Sequence, residues 1–204
     1  IDVAVMMKEQ TRDGEPIECL KVTSHAGITF DDMNLYDEGI AALGIASNEK
    51  VFRRDCLELD LRIGNRPLTL YVTHLKSMGG SRNGVDGRTS TLPLRRAEAR
   101  IIRNLITHRF GEDHAKDKNW LICGDMNDYQ QRIEIDDNGH GGYHFSVVDD
   151  ADNSINVFTQ DGFAENLVAR LDPMQRWTLY HTRGPEERHL CQLDYILASP
   201  ALAN

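Results

Sequence analysis

Residues 55–75 read DCLELDLRIGNRPLTLYVTHL, two runs of alternating apolar and polar side chains on either side of Gly64, Asn65 and Pro67. Period-two alternation puts every second side chain on one face of a pleated strand. Gly, Asn and Pro between two such runs supply the backbone freedom and the fixed φ of a tight turn. The pattern predicts a β-hairpin and so commits the chain to antiparallel pairing, which the remaining strands must join or stack upon. Strand signals recur at residues 1–7 (IDVAVMM), 17–24 (IECLKVTS), 120–124 (WLICG), 176–183 (RWTLYHTR) and 190–199 (LCQLDYILAS).

Two segments break the strand pattern. Residues 78–91 hold four glycines and almost nothing apolar, which predicts a long surface loop of the kind that often serves function. The following stretch to residue 110 places Leu94, Ala97, Ile101, Leu105 and Ile106 on one helical stripe, with Thr91 as cap, Pro93 in the first turn, and Arg95, Arg96 and Arg103 mostly off the stripe. Residues 136–142 are polar and rich in Asp and Gly, and a short helix is expected near residues 152–160. Many strands with few helices predict an α+β chain of mostly antiparallel sheets flanked by helices.

At 204 residues the chain is long enough for one domain with a sizeable core. Hydrophobic residues at 40% and charged residues at 27% are a globular balance that argues against disorder. No apolar run approaches the roughly 18 residues of a membrane-spanning helix, and no signal-peptide pattern opens the sequence. This leaves a soluble protein, cytoplasmic or exported. A net charge of −9 excludes a uniformly basic nucleic-acid surface while leaving room for a local basic groove. The four cysteines, Cys19, Cys56, Cys123 and Cys191, form no C-x-x-C pair, so a zinc site is disfavoured and buried free thiols are expected.

Chemistry concentrates where apolar strands end in polar groups. In WLICGDMNDY, residues 120–129, a strand buried on both faces reaches Gly124, and Asp125 and Asn127 then stand two apart, toward one side of an extended backbone. A carboxylate beside an amide can hold and polarise a water, and a polar turn is the alternative. In LYVTHLKS the alternation puts Tyr71, Thr73 and Leu75 on one face and Val72, His74 and Lys76 on the other. His74 is thus a functional group or a satisfied structural histidine. Asp194 is an acid inside an apolar strand, where it must be functional or paired with an arginine. Lys76, Arg53, Arg54, Arg82 and Arg88 could line a phosphate groove or be ordinary solvated residues.

The order THLKS, GDMND, LDYILAS resembles the endonuclease/exonuclease/phosphatase superfamily, which includes pancreatic deoxyribonuclease, abasic-site endonucleases, neutral sphingomyelinases and inositol-polyphosphate 5-phosphatases. The helix RRAEARIIRNLI and the segment FRRDCLELDLRI are similar to its elements around the His motif, and the likeness covers almost the whole chain. The resemblance implies a four-layer α/β/β/α sandwich and in-line attack of water on a phosphoester, a diester or a monoester, with Mg2+ or Mn2+. It gives Asp125 the role of orienting or deprotonating the water, and Asn127 that of contacting the scissile phosphate. Both would stand at the metal. It makes His74 a donor to a phosphate oxygen and Asp194 the support of a catalytic His. It puts Trp177 and Tyr180 on the rim of the groove, where Trp177 would join Lys76 as a substrate contact, with core packing the alternative. The partner implied is a phosphoester substrate, nucleic acid among the options, with no protein partner.

The family's early Asn and metal-binding Glu, and its late Ser-Asp-His motif, have no counterpart here. Glu9 and Glu15 follow the strand that the early residues should precede. The expectation is a single domain over residues 1–204 that is truncated and weakly active by itself. A catalytically silent relative acting as an interaction scaffold is the competing expectation.

Overall fold

The computed structural model describes residues 3–82, 84–182 and 187–204. β1 (Ile17–Ser24) pairs antiparallel with β2 (Cys56–Ile63), which turns through Gly64 and Asn65 into β3 (Arg66–His74), the expected hairpin. Gly64 takes φ +58°, a left-handed value suited to a primed two-residue turn whose twist matches the strands. Pro67 lies inside β3 opposite Arg62 rather than in the turn. α1 (Glu38–Ala42), capped by Asp37, lies in the long connection between β1 and β2.

The segment after β3 is more ordered than its glycines imply. β4 (Ser81–Arg82) and β5 (Val85–Asp86) form a small hairpin, and α2 (Gly87–Phe110) starts directly after it. The cap of α2 is Asp86, whose carboxylate accepts from Thr89 N–H at 3.0 Å, and not Thr91, which sits inside the helix. An Asp three residues before a free N–H outcompetes a later Thr, because capping must occur where the helix N–H groups are unsatisfied. Pro93 is accordingly in the helix interior.

α2 is the crossover that lets β6 (Trp120–Asp125) lie parallel to β3, a connection that two parallel strands require. β7 (Gln131–Asp137) and β8 (Tyr143–Asp149) follow, then α3 (Asn156–Thr159), β9 (Glu165–Asn166), β10 (Leu179–Thr182), β11 (Arg188–Cys191), β12 (Asp194–Ala198) and α4 (Pro200–Ala203). The run at residues 190–199 is therefore two strands in different sheets, broken at Gln192 and Leu193. The main sheet has the order β1-β2-β3-β6-β12-β9, and the second sheet β10-β11-β7-β8. Every pairing in these two sheets except β3 with β6 is antiparallel, which makes the architecture an α+β sandwich.

The core lies between α2 and one face of the main sheet. Tyr71, Trp120, Ile122, Tyr195 and Leu197 meet Leu94, Ala97, Ile101, Ile102 and Ile106, all buried. Each large apolar side chain so buried contributes about 1.5–3 kcal/mol. Leu105 is only partly buried, at the edge of this cluster. Arg95, expected off the stripe, is fully buried with its guanidinium ion-paired. Residues 3–7 form no strand, and Ile1 and Asp2 lie outside the described residues. Strand propensity takes effect only where a partner edge exists. Of the cysteines, Cys56 and Cys191 are buried, Cys123 is half-buried and Cys19, on the edge strand β1, is exposed.

Candidate active site

Three of the four anticipated groups stand in one row across the main sheet. His74 is opposite Asp125 in the β3–β6 register, and Asp125 is opposite Asp194 in the β6–β12 register. Residues in register share a face, and this is the face turned away from α2. His74 Nε2 lies 3.4 Å from Asp125 Oδ2, both side chains about one-third exposed. Asp194 is exposed, not buried as its apolar neighbours suggested. It opens β12 instead of sitting inside it, and its backbone N–H donates to Thr178 Oγ1 at 3.1 Å.

Asn127 joins the row by a turn rather than by extended alternation. β6 ends at Asp125, and Asn127 adopts φ +48°, a region that Asn tolerates better than most residues. Its N–H donates to Asp125 Oδ1 at 2.8 Å, an Asx turn that sets the carboxylate's orientation. Its buried side chain donates through Nδ2 to Leu75 O at 3.0 Å. Gly124 makes the strand end possible: it has φ +134°, and a Cβ there would stand 1.9 Å from Thr73 O.

Burial raises the Asp125 carboxyl above its ordinary value, with the facing Asp194 carboxylate adding to the shift, while the Asn127 N–H and His74 oppose it. A carboxylate with raised proton affinity beside an imidazole and an amide can accept a proton from a bound water. Among the described residues no group of three or more His, Cys, Asp and Glu side chains is gathered as a metal cage. Magnesium usually binds one or two carboxylates and keeps several waters, and the Asp125 carboxylate beside the Asn127 amide oxygen is donor chemistry of that kind.

The other anticipated contacts are more scattered. Lys76 is half-buried two residues past His74, with Nζ 3.4 Å from Ser77 O. Trp177 lines a cleft of about 400 Å3 with Gln130, Arg176, Gln192 and Tyr195, a lining that includes none of His74, Asp125, Asn127 and Asp194. Tyr180 is exposed on β10. Arg53 pairs with Glu49, and Arg54 donates to Leu75 O. Arg88 is committed inward, to Asp128 and Asp150 and over the Tyr129 ring. The Arg82 side chain lies outside the described residues.

Sequence reasoning passed over the residues that hold the site together. Asp128 is fully buried and accepts from Arg88 Nε at 2.8 Å, Ser154 N–H at 2.8 Å and Ser154 Oγ at 2.9 Å. Thr178 fixes the backbone of Leu193 and Asp194 together. Glu98, four residues after Leu94 and three before Ile101 and so on the apolar stripe of α2, was the available signal.

Residues 28–204 match the Endonuclease/Exonuclease/phosphatase family. No curated protein matches the chain. Similar solved structures include the human Nocturnin catalytic domain with bound sulfate, at 14% identity and TM-score 0.49, covering 90% of this chain and 48% of that one. Zebrafish (D. rerio) TDP2 complexed with a single-strand DNA product follows at 14% identity and TM-score 0.47, with 95% and 57% covered. Sphingomyelinase C from Streptomyces griseocarneus is 12% identical at TM-score 0.34, with 72% and 57% covered. The chain spans about half the length of these structures. By its match over residues 28–204, the chain belongs to the Endonuclease/Exonuclease/phosphatase family, a phosphoesterase-type family.

Proposed function

We propose that the chain is a divalent-metal-dependent phosphoesterase that hydrolyses a phosphodiester or phosphomonoester by in-line attack of water. The observation that carries this reading is the single row of His74, Asp125 and Asp194 across three adjacent strands, with Asn127 turned back onto Asp125. Asp125 orients the attacking water and accepts its proton, helped by a carboxyl whose proton affinity burial has raised. Asn127, its amide anchored on Leu75 O, contacts the scissile phosphate and holds the water. His74 donates to a non-bridging phosphate oxygen. Asp194 takes the role of the acid that supports a catalytic histidine. Asp125 and Asn127 would hold Mg2+ or Mn2+, which when bound neutralises charge on the phosphate.

Lys76 and Trp177 are the substrate contacts in this reading. Lys76 lies two residues past His74, the last residue of β3, and Trp177 precedes Thr178, the residue that anchors Asp194. Nucleic acid is one admissible phosphoester. In this reading the 204 residues are a single domain of that enzyme.

The test compares hydrolysis of a generic aryl phosphodiester and the matching monoester, in a magnesium series, by the segment and by a polypeptide extended at both ends. Magnesium-dependent turnover by the extended chain, with one ester preferred, is the expected result. Absence of turnover in both chains overturns the enzyme reading.

A further inference from the structure

Two charged side chains project from the buried face of α2 to the two loops that carry the candidate site. Arg95 and Glu98 are three residues apart, hence neighbours on one helix face, and both are fully buried. Glu98 accepts from Lys76 N–H at 2.7 Å and from Arg53 N–H at 3.3 Å. Arg95 donates through Nε to Asp128 Oδ2 at 3.4 Å and through its other nitrogens to Thr91 Oγ1 and Arg88 O, each at 2.6 Å. The Lys76 amide is two residues beyond His74, and Asp128 is one beyond Asn127. Between them, Leu75 O accepts from Arg54 Nη1 at 2.9 Å and from Asn127 Nδ2 at 3.0 Å, while Leu75 N–H donates to Asp125 O at 2.9 Å.

Adhesion alone does not explain charges at these positions. Taking an ion out of water costs several kcal/mol, and well-packed apolar side chains of similar volume often stabilise as much or more. Leu94, Ala97, Ile101 and Ile102 around the pair show that this face packs well without charge. What a charge adds is direction, because it binds specific N–H and carboxylate groups at set distances.

We propose that Arg95 and Glu98 are positioning residues that act together as a brace, fixing the spacing of His74 from Asp125 and Asn127 by clamping the exit of β3 and the turn after β6 to one helix. The inference rests on the catalytic reading of those three residues, although neither brace residue contacts substrate.

The test uses Glu98→Gln and Arg95→Lys, with Ile106→Val farther along the same buried face as a stability control. In NMR spectra of the 204-residue chain, both brace variants should move the His74 ring and Asn127 side-chain amide signals, and Ile106→Val should not. In the extended chain the brace variants should lower kcat about tenfold or more with KM changed less than about twofold, and Ile106→Val should leave both unchanged. Unmoved His74 and Asn127 signals, or a kcat loss no larger than that of Ile106→Val, overturn the brace. So does loss of fold in both brace variants while Ile106→Val folds, since the pair is then simply structural. If Asp125→Asn leaves hydrolysis intact while Glu98→Gln still shifts His74 and Asn127, the catalytic reading fails and the brace stands.

Discussion

Asp125 and Asp194 face one another in the β6–β12 register, two carboxylates at adjacent strand ends with His74 on the far side of Asp125. Like charges so placed repel unless a proton or a cation lies between them. Magnesium at roughly 100 times its Kd should therefore stabilise the folded chain by about 2.7 kcal/mol, read as a rise in melting temperature. Asp194→Asn should shrink that rise and Asp125→Asn abolish it. An unchanged melting temperature in wild type would separate this carboxylate pair from metal binding.

Asp128 concentrates the buried electrostatics of the GDMND turn, with Arg88 and Arg95 both within ion-pair distance and Ser154 donating twice. Removing one member of such a set strands the others without partners. Asp128→Ala should cost about 3–5 kcal/mol in urea unfolding. A loss under about 1 kcal/mol would mean the arginines find other acceptors at no cost.

Gly124 carries a positive φ and approaches the β3 backbone more closely than any Cβ permits. Gly124→Ala should destabilise by roughly 2–4 kcal/mol and displace Asp125 from His74. The urea midpoint gives the first effect and the His74 ring signal the second; a neutral substitution would show that the strand end can shift freely.

Glu98 titrates near 7, pushed up from 4.5 chiefly by burial, against the opposing pull of the Lys76 and Arg53 N–H groups. Its folded pKa lies above its unfolded value, so its contribution to stability is full below about pH 4.5 and is lost as pH rises through about 7. Wild type should thus lose stability relative to Glu98→Gln across that interval, measured as the difference of two unfolding curves at each pH. A difference that stays flat with pH would place the carboxyl at its ordinary value.

Much of this arrangement was legible in the sequence, and what was hidden has physical causes. The β2–β3 hairpin was readable because its alternation and its turn residues agree, and the fold class followed from it. His74 and Asp125 were readable as polar ends of apolar strands, but their proximity depends on β6 lying parallel to β3, which local pattern does not encode. The cap at Asp86 was hidden by the glycines before it, and the role of Asn127 by a left-handed turn that breaks strand alternation. Arg95 was hidden because charges on a helix read as a solvated face, and Glu98, although on the apolar stripe, shows its partners only through tertiary contact.

The most direct test of the central claim is the turnover of Asp125→Asn in the extended chain at saturating magnesium, with folding verified by circular dichroism. If Asp125 handles the attacking water, turnover should fall on the order of a hundredfold or more. Wild-type turnover in the folded variant would contradict the site.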